Sequence, residues 1–243
     1  MKHLYKSSLL IIFVCFCLLA CDDENCINGE GAIETRIMEL SELDKISLYG
    51  VDHVTIKQGD NQVVKVTGYP NIIDELNTNI SNKEWEIKLK DGCYNNADMD
   101  IEITIPSLKA ANLIGSGKIR INDFDNQENQ LFAISGSGSI SIGGNTGTKD
   151  LKFSISGSGN IDVSENFSDL ESVKLTITGS GDFDAFSLES MNYEINLSGS
   201  GSANVFAKKE LNGTISGSGN INYKGNPAIN VNVSGSGKVK NRN

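Results

Sequence analysis

Three aspartates in the second half of the chain have the residue type and spacing that catalysis or ion binding needs. Asp162 and Asp184 each stand five residues after the first glycine of a Gly-Ser-Gly triplet, and Asp182 stands two residues before Asp184. If successive triplets stack in adjacent strands, about 5 Å separates such side chains, the range used by the paired carboxylates of a retaining glycosidase. We therefore take Asp162, Asp182 and Asp184 as the candidate ligand-facing residues.

The surroundings of these aspartates favour binding over catalysis. In the same columns of their two repeats there is no arginine, histidine or lysine to orient a sugar or shift a pKa. The segment Gly157 to Asp162 is only faintly similar to the calcium-binding nonapeptide β-roll, which has an aspartate in every copy. His53 is the sole histidine after the leader, and no Cys-x-x-Cys occurs. We expect no catalytic residue, no metal and no cofactor, with a polysaccharide-acting enzyme as the alternative.

The N-terminus has the features of an export signal. Lys2 and Lys6 precede an apolar run from Leu9 to Ala20. As a helix this run is about 18 Å long, too short for a hydrocarbon core of roughly 30 Å. Residues 18–21, Leu-Leu-Ala-Cys, resemble the lipobox at which bacterial lipoproteins are cleaved and acylated. We expect a signal peptide over 1–20 and a lipid such as palmitate on Cys21, which removes the need for a membrane-spanning helix.

An acidic tether follows over residues 21–31. The run Asp-Asp-Glu-Asn at 22–25 is similar to the signal that carries Bacteroidetes-type lipoproteins to the cell surface, and a solvated spacer is the alternative. We expect an outer-membrane protein that is anchored by its lipid and exposed at the cell surface. Cys26 and Cys93 are the other cysteines left after cleavage, so a disulfide between them and two free thiols both stay open.

The elements that position these residues come from an internal repeat. Gly-Ser-Gly occurs seven times at spacings of 18 to 22 residues and accounts for 14 of the 25 glycines. The first glycines are Gly115, Gly136, Gly157, Gly179, Gly199, Gly217 and Gly235. Apolar residues stand two before and four after each of them, so strand alternation continues through the triplet. One strand pair of this kind cannot bury its apolar face alone, and stacked copies are therefore expected.

This repeat predicts an all-β chain folded as a single-stranded parallel β-helix over 32–243, with Gly-Ser-Gly at corners where a Cβ would collide with the neighbouring coil. An antiparallel β-sandwich is the alternative. Residues 111–243 hold the repeats. Residues 32–110 lack the triplet and are expected to form irregular N-terminal coils or a cap. Lys238, Lys240 and Arg242 lie near the end of the chain, where charges discourage pairing of an open sheet edge.

The ordered motifs resemble the putative auto-transporter adhesin family with the head GIN domain, which is common among Bacteroidetes lipoproteins. The residues that carry the resemblance are Gly50 to Gly59, the strand Val64 to Gly68, Ile105 to Leu108 and the Gly-Ser-Gly ladder. The resemblance implies a β-helix-like fold and an adhesive or binding role. It supplies no catalytic residues.

The net charge of the chain limits the classes of molecule that it can be expected to bind. Lysine and arginine number 21 against 31 aspartates and glutamates, a net charge of −10, and residues 21–110 hold 8 basic and 18 acidic side chains. Such a balance disfavours nucleic acid, which binds clustered cations. We expect the membrane as a partner through the lipid on Cys21, and an extracellular glycan or protein as ligand. A homo-oligomer is a further option, since a self-associating structural protein of the envelope is the third function considered.

Overall fold

The computed structural model describes residues 26–243 except 123, 126, 128, 166, 168 and 169. The predicted signal peptide, Cys21 and the start of the acidic tether lie outside the described residues. The described chain is a β-solenoid in which most strand pairs are parallel, and a short helix, α1, spans Pro70–Ile73. The predicted parallel β-helix is confirmed, and the antiparallel sandwich is wrong because neighbouring repeats lie side by side in parallel register.

Most strands have two to eight residues, because each glycine corner ends one strand and begins the next, whereas Asp182–Gly199 and Ser202–Gly217 have 18 and 16. In chain order they are Ile27–Asn28 (β1), Glu34–Met38 (β2), Lys45–Gly50 (β3), His53–Gln58 (β4), Val63–Gly68 (β5), Ile80–Ser81 (β6), Glu84–Ile87 (β7), Tyr94–Asn95 (β8), Asp100–Ile105 (β9), Ala110–Gly115 (β10), Lys118–Ile121 (β11), Phe124–Asp125 (β12), Gln130–Gly136 (β13), Ser139–Ile142 (β14), Asn145–Thr146 (β15), Asp150–Gly157 (β16), Asn160–Val163 (β17), Ser172–Gly179 (β18), Asp182–Gly199 (β19), Ser202–Gly217 (β20), Asn220–Lys224 (β21), Ala228–Gly235 (β22) and Lys238–Asn241 (β23).

Two long parallel sheets contain most of these strands. Sheet A holds the strands that run into the glycine corners, in the spatial order β7, β3, β10, β13, β16, β18, the second half of β19, the second half of β20, and β22. Sheet B holds the strands that leave the corners, in the order β9, β4, β11, β14, β17, the first half of β19, the first half of β20, β21 and β23. The first glycines of all seven triplets stand in one column, which Gly50 extends by one rung. At about 4.8 Å per rung this column is roughly 34 Å long.

The N-terminal end of the solenoid does not follow chain order. β7 and β9 come after β3 and β4 in the sequence, yet they lie outside them at the end of the stack. Between β4 and β7 the chain passes through β5 and α1. β5 pairs antiparallel with β9 and with β2. These elements cover the core at this end, where Trp85, Ile72 and Val64 are buried.

The core consists of the inward residues of each rung. The side chains two before and four after each first glycine are buried from Leu113 through Ile221. Phe132, Phe153 and Phe183 stack inside it, with successive ring centroids 5.6 and 4.7 Å apart. The inward assignment of these columns from sequence alternation is therefore confirmed.

The corner leaves no room for side chains at its two glycines. Gly157 has a φ of +119°, and a Cβ there would overlap the carbonyl oxygen of Gly136 in the preceding rung. A Cβ on Gly159 would overlap the side chain of Ile134. The Gly136 carbonyl accepts the N–H groups of both Ser158 and Gly159, at 2.9 and 3.0 Å. The serine between the glycines is exposed in all seven triplets, as the alternation predicts.

Candidate functional site

The three candidate aspartates lie together on the outward face of sheet B. Asp162 is on β17, and Asp182 and Asp184 lie at the start of β19. Asp162 is opposite Asp184 in the strand register, and Asn160 is opposite Asp182. All three aspartates are exposed, because their parity along the strand places them away from the core. The structure thus brings these residues together, and their role in binding stays a prediction.

Asp182 bonds to the backbone of the next rung. Its Oδ1 accepts the N–H of Ser202 at 2.7 Å, and its own N–H donates to Oδ1 of Asn160 at 3.1 Å. Side chains at this position therefore supply hydrogen bonds where the strand leaves the corner. One carboxylate oxygen of Asp182 is engaged in this way, so its role is partly structural.

Asp162 and Asp184 are like charges on neighbouring strands. Partial desolvation raises the pKa of Asp162, and the negative charge of Asp184 raises it further. Neither carboxylate has a salt-bridge partner within the part of the chain that the structure describes. Like charges directly opposite one another in a sheet are destabilising. A hydrogen-bond donor or a cation from a ligand would relieve this repulsion.

Amide side chains extend the same column toward the C-terminal end. Asn204 and Asn222 follow Asp184 in register. Nδ2 of Asn222 donates to Oδ1 of Asn204 at 2.8 Å, and Nε of Arg242 donates to Oδ1 of Asn222 at 3.2 Å. Residues 26–243, in their described part, contain no cluster of three or more metal-ligating side chains that could hold an ion. The face therefore offers donors and acceptors one rung apart, an arrangement that suits a ligand with repeated hydroxyl groups.

Two aromatic side chains at the margin of this face escaped prediction from the sequence. Phe186 and Phe206 each stand seven residues after a first glycine, and both are half-buried rather than buried. Nζ of Lys224 lies 4.8 Å from the centroid of the Phe186 ring, and Lys224 is opposite Phe206 in the register. The sequence did contain a signal for these rings. They stand an odd number of residues after the first glycine, as Asp162 does, and such positions face outward. These rings give the polar face an apolar border.

The first corner of the column has an aspartate where the triplets have their second glycine. Asp52 stands two residues after Gly50. In the next rung toward the N-terminal end, β7 is connected to β9 by residues 88–99 and not by another triplet. Asp52 is buried, and its Oδ1 accepts the N–H of Met99 at 2.8 Å. Burial raises the pKa of Asp52 to about 6, although the hydrogen bond from Met99 opposes the shift.

A disulfide joins the N-terminal segment to the solenoid. Cys26 is bonded to Cys93, with their Cα atoms 4.5 Å apart. The N–H of Ile27 donates to the Cys93 carbonyl at 2.9 Å, and β1 pairs in parallel with β8 beside it. Residues 26–31, the described part of the acidic tether, therefore meet the solenoid at the end of the stack formed by β7 and β9.

The sequence family follows from a direct comparison. The family model described as putative auto-transporter adhesin, head GIN domain, matches residues 42–227. The chain belongs to this family. The resemblance inferred from the motifs is thereby confirmed, and the matched range covers the N-terminal coils as well as six of the seven triplets of this adhesin-family chain.

Solved structures of similar proteins share the fold of this adhesin-family chain. A putative adhesin from Bacteroides fragilis is 23% identical, with a TM-score of 0.80 over 89% of this chain and 100% of that one. A putative lipid binding protein from Parabacteroides distasonis is 25% identical, with a TM-score of 0.74 over 90% and 100%. A putative adhesin from Parabacteroides merdae is 22% identical, with a TM-score of 0.73 over 89% and 99%. None of the curated proteins matches the sequence.

The family is one of putative adhesins, which supports an adhesin-like role at the cell surface. Among the residues described by the structure, no helix is long and apolar enough to cross a bilayer.

Proposed function

We propose that this protein is a lipid-anchored, surface-exposed adhesin that binds an extracellular glycan along the outward face of sheet B. The observation that carries the proposal is the column Asp162, Asp184, Asn204 and Asn222 on that face, in a chain of an adhesin family. Carboxylate and amide oxygens accept hydrogen bonds from sugar hydroxyls, and amide N–H groups donate to them.

The regular spacing of this column favours a long ligand over a small one. Neighbouring side chains lie one rung apart, about 4.8 Å, so an extended ligand can contact several rungs at once. Hydrogen bonds to a charged carboxylate are stronger than those between neutral groups. Asp162 and Asp184 therefore contribute most to affinity, and Asn204 and Asn222 extend the contact. Phe186 and Phe206 border the site with apolar surface.

The lipid on Cys21 accounts for how the adhesin is retained at the cell. Cys26 is five positions after Cys21, so the chain between lipid and disulfide spans at most about 18 Å. Sheet B runs along the solenoid axis, away from that attachment point, and is accessible beyond the membrane. Protease added to intact cells should degrade the wild-type chain, and Cys21→Ala should release it from the membrane fraction. Protection from protease in intact cells would contradict surface exposure.

Binding of the unlipidated chain to an array of glycans and matrix proteins tests the ligand assignment. The chain from residue 21 onward with Cys21→Ser should bind a subset of glycans. The double variant Asp162→Asn with Asp184→Asn should bind them at least about tenfold more weakly, since it removes two charge-assisted acceptors. Asp60→Asn removes an exposed carboxylate between β4 and β5, outside the proposed site, and serves as a control that retains full affinity. Binding to matrix proteins alone would contradict the glycan assignment.

Asp162, Asp182 and Asp184 also define the alternative, a polysaccharide-cleaving enzyme. The engagement of Asp182 with Ser202 weakens that alternative, and no basic side chain flanks Asp162 and Asp184 in their own rungs of sheet B. The same glycans, incubated with the protein, should show no new reducing ends. Cleavage that disappears in the double variant would favour the enzyme.

A further inference from the structure

The C-terminal end of the solenoid leaves inward side chains uncovered. Ile229 and Val233 on β22 are 46% and 45% exposed, whereas Leu211 and Ile215, which occupy the same columns one rung earlier, are 0% and 1% exposed. β22 pairs with β20, and β23 pairs with β21; within the described residues no strand lies on their other edges. An apolar surface flanked by two unpaired strand edges is a template for another chain.

At the opposite end the inward columns are covered, although Ile33 and Ile37, before and on the edge strand β2, are 62% and 65% exposed. There Trp85, Ile72 and Val64 are buried, because β5, β6 and α1 fold across the last rung. Only one of the two ends of the described stack therefore exposes its inward columns. A contact between two open ends uses the same surface on both copies and closes at two.

We propose that a second copy of this chain covers the C-terminal end, related by a two-fold axis through the corner Gly235-Ser236-Gly237. β22 runs toward this corner and β23 runs away from it. Rotation about an axis through the corner and perpendicular to the solenoid lays β22 of each copy antiparallel to β23 of the other. The two open edges of each copy then pair with those of the second copy in a single contact.

The spacing around Ser236 gives this pairing a matched register. Residues at equal distances from Ser236 meet, so Val233 is opposite the partner's Val239, and both belong to inward columns. By the same rule the outward Asn232 is opposite the partner's Lys240. Apolar side chains therefore meet apolar ones, and outward polar side chains meet outward polar ones, along both strands.

The distribution of charge favours β22 beside β23 over β23 beside β23. Lys238, Lys240 and Arg242 are the charged residues of 225–243, and all lie on or just after β23. Two β23 strands side by side would place like charges opposite one another, so the cationic residues discourage this pairing, as expected from the sequence. The two-fold axis instead places each cationic strand beside the uncharged β22 of the other copy.

The size of the end fits a specific contact. Residues 225–243 supply 19 residues per copy, near the lower end of the roughly 20 to 30 residues that a standard interface uses on each side. In one respect the inference rests on the proposed function: with the lipid at the other end of the solenoid, the open ends point away from the membrane. The joined copies would then belong to two facing cells, which makes the contact homophilic.

Sedimentation velocity on the chain from residue 21 onward, carrying Cys21→Ser, tests the contact without lipid or ligand. We expect a monomer–dimer equilibrium between about 1 and 100 μM. Asn232→Glu, which faces the partner's Lys240, should lower the dimer Kd about tenfold, and Asn232→Lys should raise it about tenfold. Asn232 is exposed, so both variants should keep the wild-type circular dichroism spectrum. A monomer throughout, or a shift of Kd in the same direction for both variants, would overturn the proposal.

A second readout separates this inference from the proposed function. Vesicles that carry the lipidated chain should tether to one another, and Val233→Asp should abolish both tethering and dimerisation by placing a charge in the apolar contact. The double variant Asp162→Asn with Asp184→Asn should dimerise normally, because those residues lie in earlier rungs. Loss of the dimer in that double variant would contradict the C-terminal location of the contact.

Discussion

At every corner of the column before Gly235, one carbonyl oxygen accepts two N–H groups from the next rung, and this geometry excludes a Cβ in two ways. The first glycine has a positive φ, which L-residues adopt at a cost of roughly 1–2 kcal/mol. Its Cβ would also overlap the carbonyl oxygen of the rung before it, as at Gly157. The corner at Gly50 separates these effects, because its φ is +115° and a Cβ there would meet no atom within 4 Å.

We therefore expect Gly157→Ala to destabilise the protein more than Gly50→Ala. Gly50→Ala should lower the free energy of unfolding by about 1 kcal/mol from backbone strain alone. Gly157→Ala should lower it by at least about 3 kcal/mol, because the rung must also shift away from the new methyl group. Urea unfolding of both variants measures the difference. Equal losses would show that the close contact between rungs carries no energetic weight.

The buried carboxyl of Asp52 makes stability depend on pH. Its pKa is about 6 in the folded chain and 3.8 as the ordinary value. Because the folded pKa is the higher one, the stability contributed by this group is complete below about pH 4 and is lost as the pH rises through 6. Two pKa units correspond to about 3 kcal/mol.

Asp52→Asn should remove that loss while it keeps an oxygen to accept the N–H of Met99. The free energy of unfolding of the wild type should fall by about 3 kcal/mol relative to the variant between pH 3 and pH 8. Denaturant unfolding of both proteins across this range measures the difference. Parallel profiles would mean that Asp52 does not titrate between these pH values.

The like charges of Asp162 and Asp184 at the candidate site can be tested through the pKa of Asp162. Asp184→Asn should lower the pKa of Asp162, since it removes one of the two causes that raise it. The pKa should stay above its ordinary value, because partial desolvation remains. Carbon-detected NMR titration of the Asp162 carboxyl follows this change, and an unchanged midpoint would show that the two side chains point apart.

At the scale of strands, alternation through the glycines was enough to predict the parallel rungs. Every triplet has apolar residues two before and four after its first glycine, and a parallel in-register stack is the arrangement that buries both columns. The same offsets placed Asp162 and Asp184 opposite each other. The candidate site was therefore predictable to the extent that it depends on register.

Features that depend on contacts between distant segments were not predictable. β7 and β9 lie outside β3 and β4 although they follow them in the sequence, because β5 and α1 return the chain to the N-terminal end. Gly213 lies within β20 at a φ of +151°, where the close approach of Ile195 excludes a side chain. Neither feature belongs to the repeat, so the repeat pattern of the sequence does not predict it.

The disulfide between Cys26 and Cys93 links two segments that are 67 residues apart. Closing a loop of this length restricts the unfolded chain, and its loss should cost about 4 kcal/mol on the chain-entropy model. Cys93→Ser and Cys26→Ser should lower the free energy of unfolding equally, and dithiothreitol should affect only the wild type. Unequal losses would show that one cysteine stabilises the fold by packing instead.

At the scale of the whole molecule the two ends of the solenoid differ. The N-terminal end carries the tether, the disulfide and most of the excess negative charge, since residues 21–110 hold 18 acidic and 8 basic side chains. The C-terminal end carries Lys238, Lys240 and Arg242 and exposes its inward columns. In the arrangement that we propose, the aspartate column of sheet B lies between the lipid-anchored end and an end that is available to another chain.

Adhesion of intact cells to the glycans selected on the array tests the central claim most directly. Cells that display the wild-type chain and cells that display Asp60→Asn should be retained equally. Cells with equal amounts of the double variant Asp162→Asn with Asp184→Asn should be retained at least about tenfold less, as its weaker binding requires. Equal retention of all three would contradict the assignment of ligand binding to the outward face of sheet B.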